Sequence, residues 1–242
     1  MYAKKDDLSK RRYVPILVVL SAIVAMTIQL PWVIKPLNVF TDDGLVLEAV
    51  SRAHQGKGFT ASTRPTQDLA TPTFEYLYHW PPGPAGLLLG LKSVGLEIAF
   101  SYKLLYLLFL GVGTALWVLF ASRCLSGFAL VAVAAGLSVG VFGVLFIKLA
   151  QVLLWASCAC LFLLFLRILD PNKRPSFLTL LGASLAAAVT IMCWYAAVAI
   201  VAGAVFTVFL LHKQSLAKRF VSATIVGSIG TIAFFLLWTI NS

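Results

Sequence analysis

The chain has 242 residues, of which 60% are hydrophobic and only 12% charged, and this composition excludes an ordinary soluble domain. Several apolar runs reach the roughly 18 to 20 residues with which a helix crosses a bilayer. The net charge of +10 would indicate a nucleic-acid partner in a soluble protein, but membrane proteins collect such residues in their cytoplasmic loops. The sequence predicts an all-α fold, a polytopic membrane helical bundle forming a single membrane domain, with no nucleic-acid partner.

The first 13 residues and the run that follows them predict a cytoplasmic N-terminus. Five basic residues outnumber the two acids, Asp6 and Asp7, before the first apolar run, and a basic excess stays on the cytoplasmic side. The run itself, 14–34, is too long for the apolar core of a signal peptide and lacks a small-x-small cleavage site. It is therefore a first span that delivers the next segment to the outer face.

An extracytoplasmic loop, residues 36–100, contains the only long polar interval of the chain. Its acidic pair, Asp42-Asp43, precedes an amphipathic pattern that predicts a helix along the membrane surface, ended by Gly56-Lys57-Gly58. One aspartate is well placed to cap this helix. Ionisable residues at a membrane exit are also functional candidates, and the residues leave both interpretations open.

The loop closes with 79–84, His-Trp-Pro-Pro-Gly-Pro, which we expect not to be regular helix because prolines fix φ and favour extended geometry before them. Trp80 suits the aromatic belt at a membrane interface. His79 fits a ligand, an acid/base group or an interfacial hydrogen bonder, and a rigid aromatic turn is the simplest interpretation. The apolar segment 86–100 is short and interrupted by Lys92 and Glu97, which predicts a juxtamembrane or re-entrant helix.

Six further spans are predicted in 101–242, which gives about seven in all. They are the apolar runs 104–121, 128–147, 151–166, 177–193, 195–211 and 221–240. With seven spans most later basic residues fall in cytoplasmic loops, whereas an eighth span would move them outside. The C-terminus is then extracytoplasmic, and Lys148, Gln151 and the break at 193–195 share the outer layer with the acidic loop.

In combination, Asp42-Asp43, Gly56-Lys57-Gly58 and Trp80-Pro81-Pro82 resemble the N-terminal module of GT-C superfamily membrane glycosyltransferases. The resemblance is to the protein mannosyltransferase and aminoarabinose transferase branch, which uses polyprenyl-phosphate sugars. In that branch an acidic pair opens the first outer loop and a Pro-Pro turn follows some forty residues later. The turn at 122–127 and residues 181–183 also look like family features.

The resemblance implies an inverting sugar transfer on the outer face of the plasma (inner) membrane, from a lipid-linked sugar donor to an acceptor hydroxyl. Asp42 is expected to be the base, and Asp43 to orient the acceptor or to hold a divalent cation, Mg²⁺ or Mn²⁺. Cationic stabilisation of the leaving phosphate would come from a metal or from basic residues. The predicted substrate-binding residues, with Lys57 as a further cationic candidate, are Arg64, His79, Trp80, Lys148 and Gln151.

The chain also departs from the family pattern. Gln151 stands where many relatives carry an acid, and Trp194 where many carry a basic residue. The sequence is roughly half the usual family length. A truncated non-catalytic subunit or degenerate relative that works with a second membrane subunit is therefore one alternative, and a small membrane transporter is another.

Overall fold

A computed structural model describes residues 3–34, 41–64, 73–76, 82–139, 148–170, 175–194, 196–211 and 215–241. This part of the chain forms helices and one small antiparallel sheet. The helices are α1 (Ala3–Ile34), α2 (Thr41–His54), α3 (Pro82–Ser93), α4 (Ile98–Cys124), α5 (Gly127–Val139), α6 (Leu149–Ile168), α7 (Phe177–Cys193), α8 (Ala197–Leu211) and α9 (Leu216–Asn241), and the strands are β1 (Thr60–Arg64) and β2 (Thr73–Tyr76).

Each of the seven predicted apolar runs overlaps one of these helices, although residues 140–147 of the run 128–147 lie outside the described part of the chain. Three helices, α1, α4 and α6, are long and apolar enough to cross a membrane, and α5, α7 and α8 contain shorter apolar stretches. The helical membrane class agrees with these findings, whereas the count of seven spans stays a prediction. The short segment predicted at 86–100 contains the end of α3, which at 12 residues falls well below the length of a span.

Contacts between the three long helices, α1, α4 and α6, show their relative directions. The hydroxyl of Tyr13 in α1 accepts the Gly127 N–H (3.2 Å), and further along α1 the Met26 side chain packs on Gly111, so α1 runs antiparallel to α4. Helices α4 and α6 run parallel, because Tyr102 and Leu149 meet at their N-terminal ends while Arg123 and Arg167 line one cleft at their C-terminal ends. Two polar layers therefore lie at opposite ends of the bundle.

The distance between these layers follows from helix geometry. Tyr102 and Arg123 are 21 residues apart in α4, which at a rise of about 1.5 Å per residue is about 31 Å. Leu149 and Arg167 are 18 residues apart in α6, or about 27 Å. Both values match a hydrocarbon core of about 30 Å.

Two buried clusters hold the bundle together. One lies near the N-terminal ends of α4 and α6. It joins α1, α2, α3, α4, α6 and α7 through residues such as Ala25, Val50, Leu88, Tyr106 and Cys193. The other joins α6, α7, α8 and α9. The first cluster fixes the position of α2 relative to α4 and α6, on which the site described below depends.

The amphipathic helix predicted after Asp42 is confirmed as α2, and positive φ at Gly56 and Gly58 ends it. The N-cap prediction is wrong, because the helix already begins at Thr41 and both aspartates lie in its first turn. Negative charge is still favourable there, since it faces the positive end of the helix dipole.

A β-hairpin follows α2. This hairpin was not predicted from the sequence. Arg52 holds it from α2: its Nε donates to Thr60 Oγ1 (2.8 Å), and its guanidinium lies 3.5 Å above the Phe74 ring. Glu48 accepts from the backbone and hydroxyl of Ser62. Residues 65–72, between the strands, lie outside the described part of the chain.

The expectation that 79–84 is not helical is wrong for its last three residues, where Pro82-Gly83-Pro84 begins α3. Proline fits the first helical turn because those N–H groups need no intrahelical partner and its φ already matches a helix. Gly83 has a second role there. A Cβ at this position would lie 2.8 Å from the Met192 carbonyl oxygen, so only glycine lets α3 approach the end of α7 this closely.

Candidate functional site

The site is built on a buried carboxylate, that of Asp43 in the first turn of α2. Its side chain is 7% exposed, and its Oδ2 accepts a hydrogen bond of 2.8 Å from the Tyr102 hydroxyl. That hydroxyl in turn accepts the Leu149 N–H at 3.3 Å. This relay links the starts of α2, α4 and α6, and it gives a partner to one of the N–H groups that a helix leaves without an intrahelical acceptor.

A small cleft opens beside this relay, with a volume of about 20 Å³, which is room for about one water molecule. Its walls come from α2, α3, α4, the start of α6 and the residue after α7. The lining residues are Asp43, Val46, Pro84, Leu88, Tyr102, Lys148, Leu149, Ala150 and Trp194. An acid, a base, a phenol and an indole thus meet on a largely apolar floor.

Lys148 immediately precedes α6 and lines the cleft. The start of α6 adds the positive end of a helix dipole to the charge of this side chain. The cleft therefore combines the Asp43 carboxylate with a locally positive wall, which is an arrangement suited to a ligand that carries both a hydroxyl and an anionic group.

Gln151 has a structural role in this arrangement. Its Oε1 accepts the Lys148 backbone N–H at 3.3 Å, which closes the first turn of α6 in the manner of a capping box. The prediction that Gln151 binds substrate therefore stays untested, but its amide already orients the backbone that presents Lys148.

Trp194 enters the cleft because α7 ends directly before it. Its backbone is extended (φ −158°, ψ 119°), and its N–H bonds the Thr190 carbonyl. The predicted topology puts Lys148 and Trp194 in the same layer as the acidic loop, and in the structure both line one cleft with Asp43.

The other predicted site residues are not among the described residues that line this cleft. Asp42 lies beside Asp43 in the first turn of α2, but its side chain lies outside the described part. Arg64 is the last residue of β1, opposite Thr73, and its side chain is likewise not described. His79 and Trp80 fall in 77–81, outside the described residues, and Lys57 is exposed in the turn after α2.

Tyr102 was not predicted as a site residue from the sequence. It is 1% exposed, and Tyr106, one turn further along α4, is 2% exposed. Two tyrosines at i and i+4 near the start of an apolar run share one helix face, and buried tyrosines usually bond through their hydroxyls. That spacing indicated that α4 presents tyrosine hydroxyls on one face near its N-terminal end.

A divalent cation was predicted at Asp43. The described residues include no group of three or more His, Cys, Asp or Glu side chains that could hold a metal ion. Around Asp43 they provide one carboxylate, whose Oδ2 is engaged by Tyr102. The described residues by themselves do not form a cation site, and the predicted cation stays untested.

The described part of the chain is thus a helical protein with three helices able to cross a membrane and a buried carboxylate–phenol pair at one end of two of its helices. Comparison with family models, with curated proteins and with solved structures finds no match to this chain.

Proposed function

We propose that this protein is a membrane glycosyltransferase of the GT-C type, which moves a sugar from a polyprenyl-phosphate donor to an acceptor hydroxyl. The observation that carries the proposal is the meeting of Asp43, Lys148 and Trp194, which come from three distant parts of the sequence, in one cleft at the N-terminal ends of α4 and α6. The sequence resemblance supplies the reaction class, and the cleft supplies groups that suit its reactants.

The chemistry follows from the charges of the reactants. The acceptor oxygen attacks the anomeric carbon of the sugar, the bond from that carbon to the phosphate oxygen breaks, and the lipid phosphate leaves with the electron pair. Lys148 and the start of α6 stabilise the negative charge on the leaving phosphate. Trp194 provides a flat apolar surface for the sugar ring, as aromatic side chains do in many ligand pockets.

The two aspartates have different roles toward the acceptor hydroxyl. One oxygen of Asp43 is held by Tyr102, so this carboxylate is well oriented to position the acceptor hydroxyl. Asp42, its neighbour in the same turn, takes the acceptor proton as general base.

We also propose seven spans in the plasma (inner) membrane, with a cytoplasmic N-terminus and an extracytoplasmic C-terminus. The described contacts support this arrangement. Tyr13, which directly follows the basic N-terminal segment, contacts Gly127 near Arg123, and Arg123 shares a cleft with Arg167. Basic residues thus concentrate at one end of the bundle, which the positive-inside rule assigns to the cytoplasm, and the Asp43 cleft lies at the other.

The test is sugar transfer by the full chain in membranes, measured with a panel of radiolabelled polyprenyl-phosphate sugars. Asp42→Asn is expected to lower the transfer rate by about 10²- to 10⁴-fold, the usual contribution of a general base. Asp43→Asn is expected to lower it less, because an amide oxygen still accepts from Tyr102. Asp7→Asn, the same change before the first span, is the matched control and should leave the rate unchanged.

Undiminished transfer by Asp42→Asn would refute its role as base. Absence of transfer by the wild-type chain with every donor would favour a non-catalytic subunit instead. Solute flux in proteoliposomes without any sugar transfer would favour a transporter.

A further inference from the structure

A second cleft lies at the opposite end of α4 and α6 from Asp43, with a volume of about 700 Å³. Arg123 from the last turn of α4 and Arg167 from the last turn of α6 line it, together with Asp170 just beyond α6. Its remaining walls are the leucines at 119, 163, 164, 166 and 169. Neither the sequence resemblance nor the proposed transfer reaction assigns it a role.

The two helices repeat the same side-chain arrangement. Leu119 precedes Arg123 by four residues, and Leu163 precedes Arg167 by four, so on each helix a leucine and an arginine share one face. Because α4 and α6 run parallel, both arginines lie toward the helix ends and both leucines lie one turn deeper. Both arginines are exposed. The cleft is therefore cationic at its mouth and apolar within.

We propose that this cleft binds an anionic phospholipid, with the phosphate between Arg123 and Arg167 and an acyl chain against the leucines. Guanidinium groups bind phosphate through paired charge-assisted hydrogen bonds, and basic pockets between membrane helices bind anionic lipid headgroups. Asp170 lines the same cleft, so its three described ionisable side chains sum to +1. A soluble phosphate would use the arginines but leave the apolar wall without a partner.

The depth of the cleft agrees with this ligand. Arg123 lies about 31 Å along α4 from Tyr102, so when the Asp43 cleft lies at one membrane interface the arginines lie at the other, at the level of the lipid phosphates. The inference needs only that α4 and α6 cross the membrane, and it holds whether or not the protein transfers sugars.

Native mass spectrometry of the purified full chain tests the proposal, with phosphatidylglycerol and phosphatidylcholine of identical acyl chains offered in equal amounts. The wild type is expected to retain phosphatidylglycerol about fivefold or more over phosphatidylcholine, since a basic residue near a membrane surface contributes about this factor. In Arg123→Gln/Arg167→Gln the preference should fall to near one. Lys218→Gln/Arg219→Gln removes the same charge from α9 and should keep the wild-type preference.

Two further measurements separate a lipid site from a site for soluble phosphate or from general surface charge. Leu163→Trp keeps both arginines but fills the apolar wall, and it should abolish the preference. Glycerol phosphate at millimolar concentration should not displace the lipid. An unchanged preference in either cleft variant, an equal loss in the α9 variant, or displacement by glycerol phosphate would overturn the proposal.

Discussion

Replacing Tyr102 by phenylalanine tests the relay that organises the candidate site. The substitution keeps the buried ring but removes the hydroxyl, which donates to Asp43 (2.8 Å) and accepts from Leu149 (3.3 Å). The Asp43 side chain is 7% exposed, so water replaces the lost donor poorly. The Tyr102 hydroxyl therefore helps to orient the Asp43 carboxylate and links the start of α2 to the start of α6.

The expected loss is about 2 kcal/mol in the free energy of unfolding. A hydrogen bond to a charged group contributes roughly 1.5 to 3 kcal/mol, and leaving a buried group without its partner costs about 1 to 3 kcal/mol. These figures describe the same lost bond and are not summed. A loss of about 2 kcal/mol corresponds to a roughly 30-fold change in the folding equilibrium constant, since every 1.4 kcal/mol is about tenfold.

The assay is a double-mutant cycle on the purified protein in detergent micelles, with reversible unfolding measured for wild type, Tyr102→Phe, Asp43→Ala and the double variant. We expect a coupling free energy of about 1 to 2 kcal/mol between the two positions, because each single substitution already breaks the same bond. Additivity within about 0.5 kcal/mol would show that the Tyr102–Asp43 bond contributes no stability, and the relay would then have no energetic role.

Two other predictions address packing and topology. Gly83→Ala should lower the free energy of unfolding by about 1 to 3 kcal/mol, because the new Cβ would lie 2.8 Å from the Met192 carbonyl oxygen. Gly86→Ala in the same helix is the control: its Cβ would meet nothing within 4 Å, so the change should be neutral or stabilising. Equal thermal stability of both variants would contradict the close approach of α3 to α7. A reporter enzyme fused after Arg174 should report a cytoplasmic location, because seven spans place that loop on the cytoplasmic side. An extracytoplasmic signal would contradict the seven-span model.

The helices themselves were predictable because their signal is local. Uninterrupted apolar runs located α4, α6 and α7 within a few residues, and the pattern after Asp42 together with Gly56 and Gly58 located α2. The hairpin was not predictable in this way. Its strands are five and four residues long and are held by contacts from Arg52 and Glu48, which belong to a different element.

The candidate site was likewise predictable from the sequence only in part. The charge pattern indicated that Lys148 and Trp194 share a layer with the acidic loop, and the cleft brings them to Asp43. The burial of Asp43, and the part played by Tyr102, depended on how α2 packs against α4. Sequence spacing does not fix which face of α2 turns toward α4, because either aspartate satisfies the local preference for negative charge in a first turn.

By itself the sequence predicted a helical membrane protein, the approximate position of its apolar helices and the end of the bundle at which basic residues collect, because burial in lipid and charge bias act on each segment separately. Only the tertiary structure decided that α4 and α6, which the predicted topology makes parallel, pack directly against each other. That arrangement makes one end of the pair a carboxylate–phenol site and the other a pair of arginines above leucines. Residues far apart in the chain meet only when whole helices pack, so both clefts are properties of the fold.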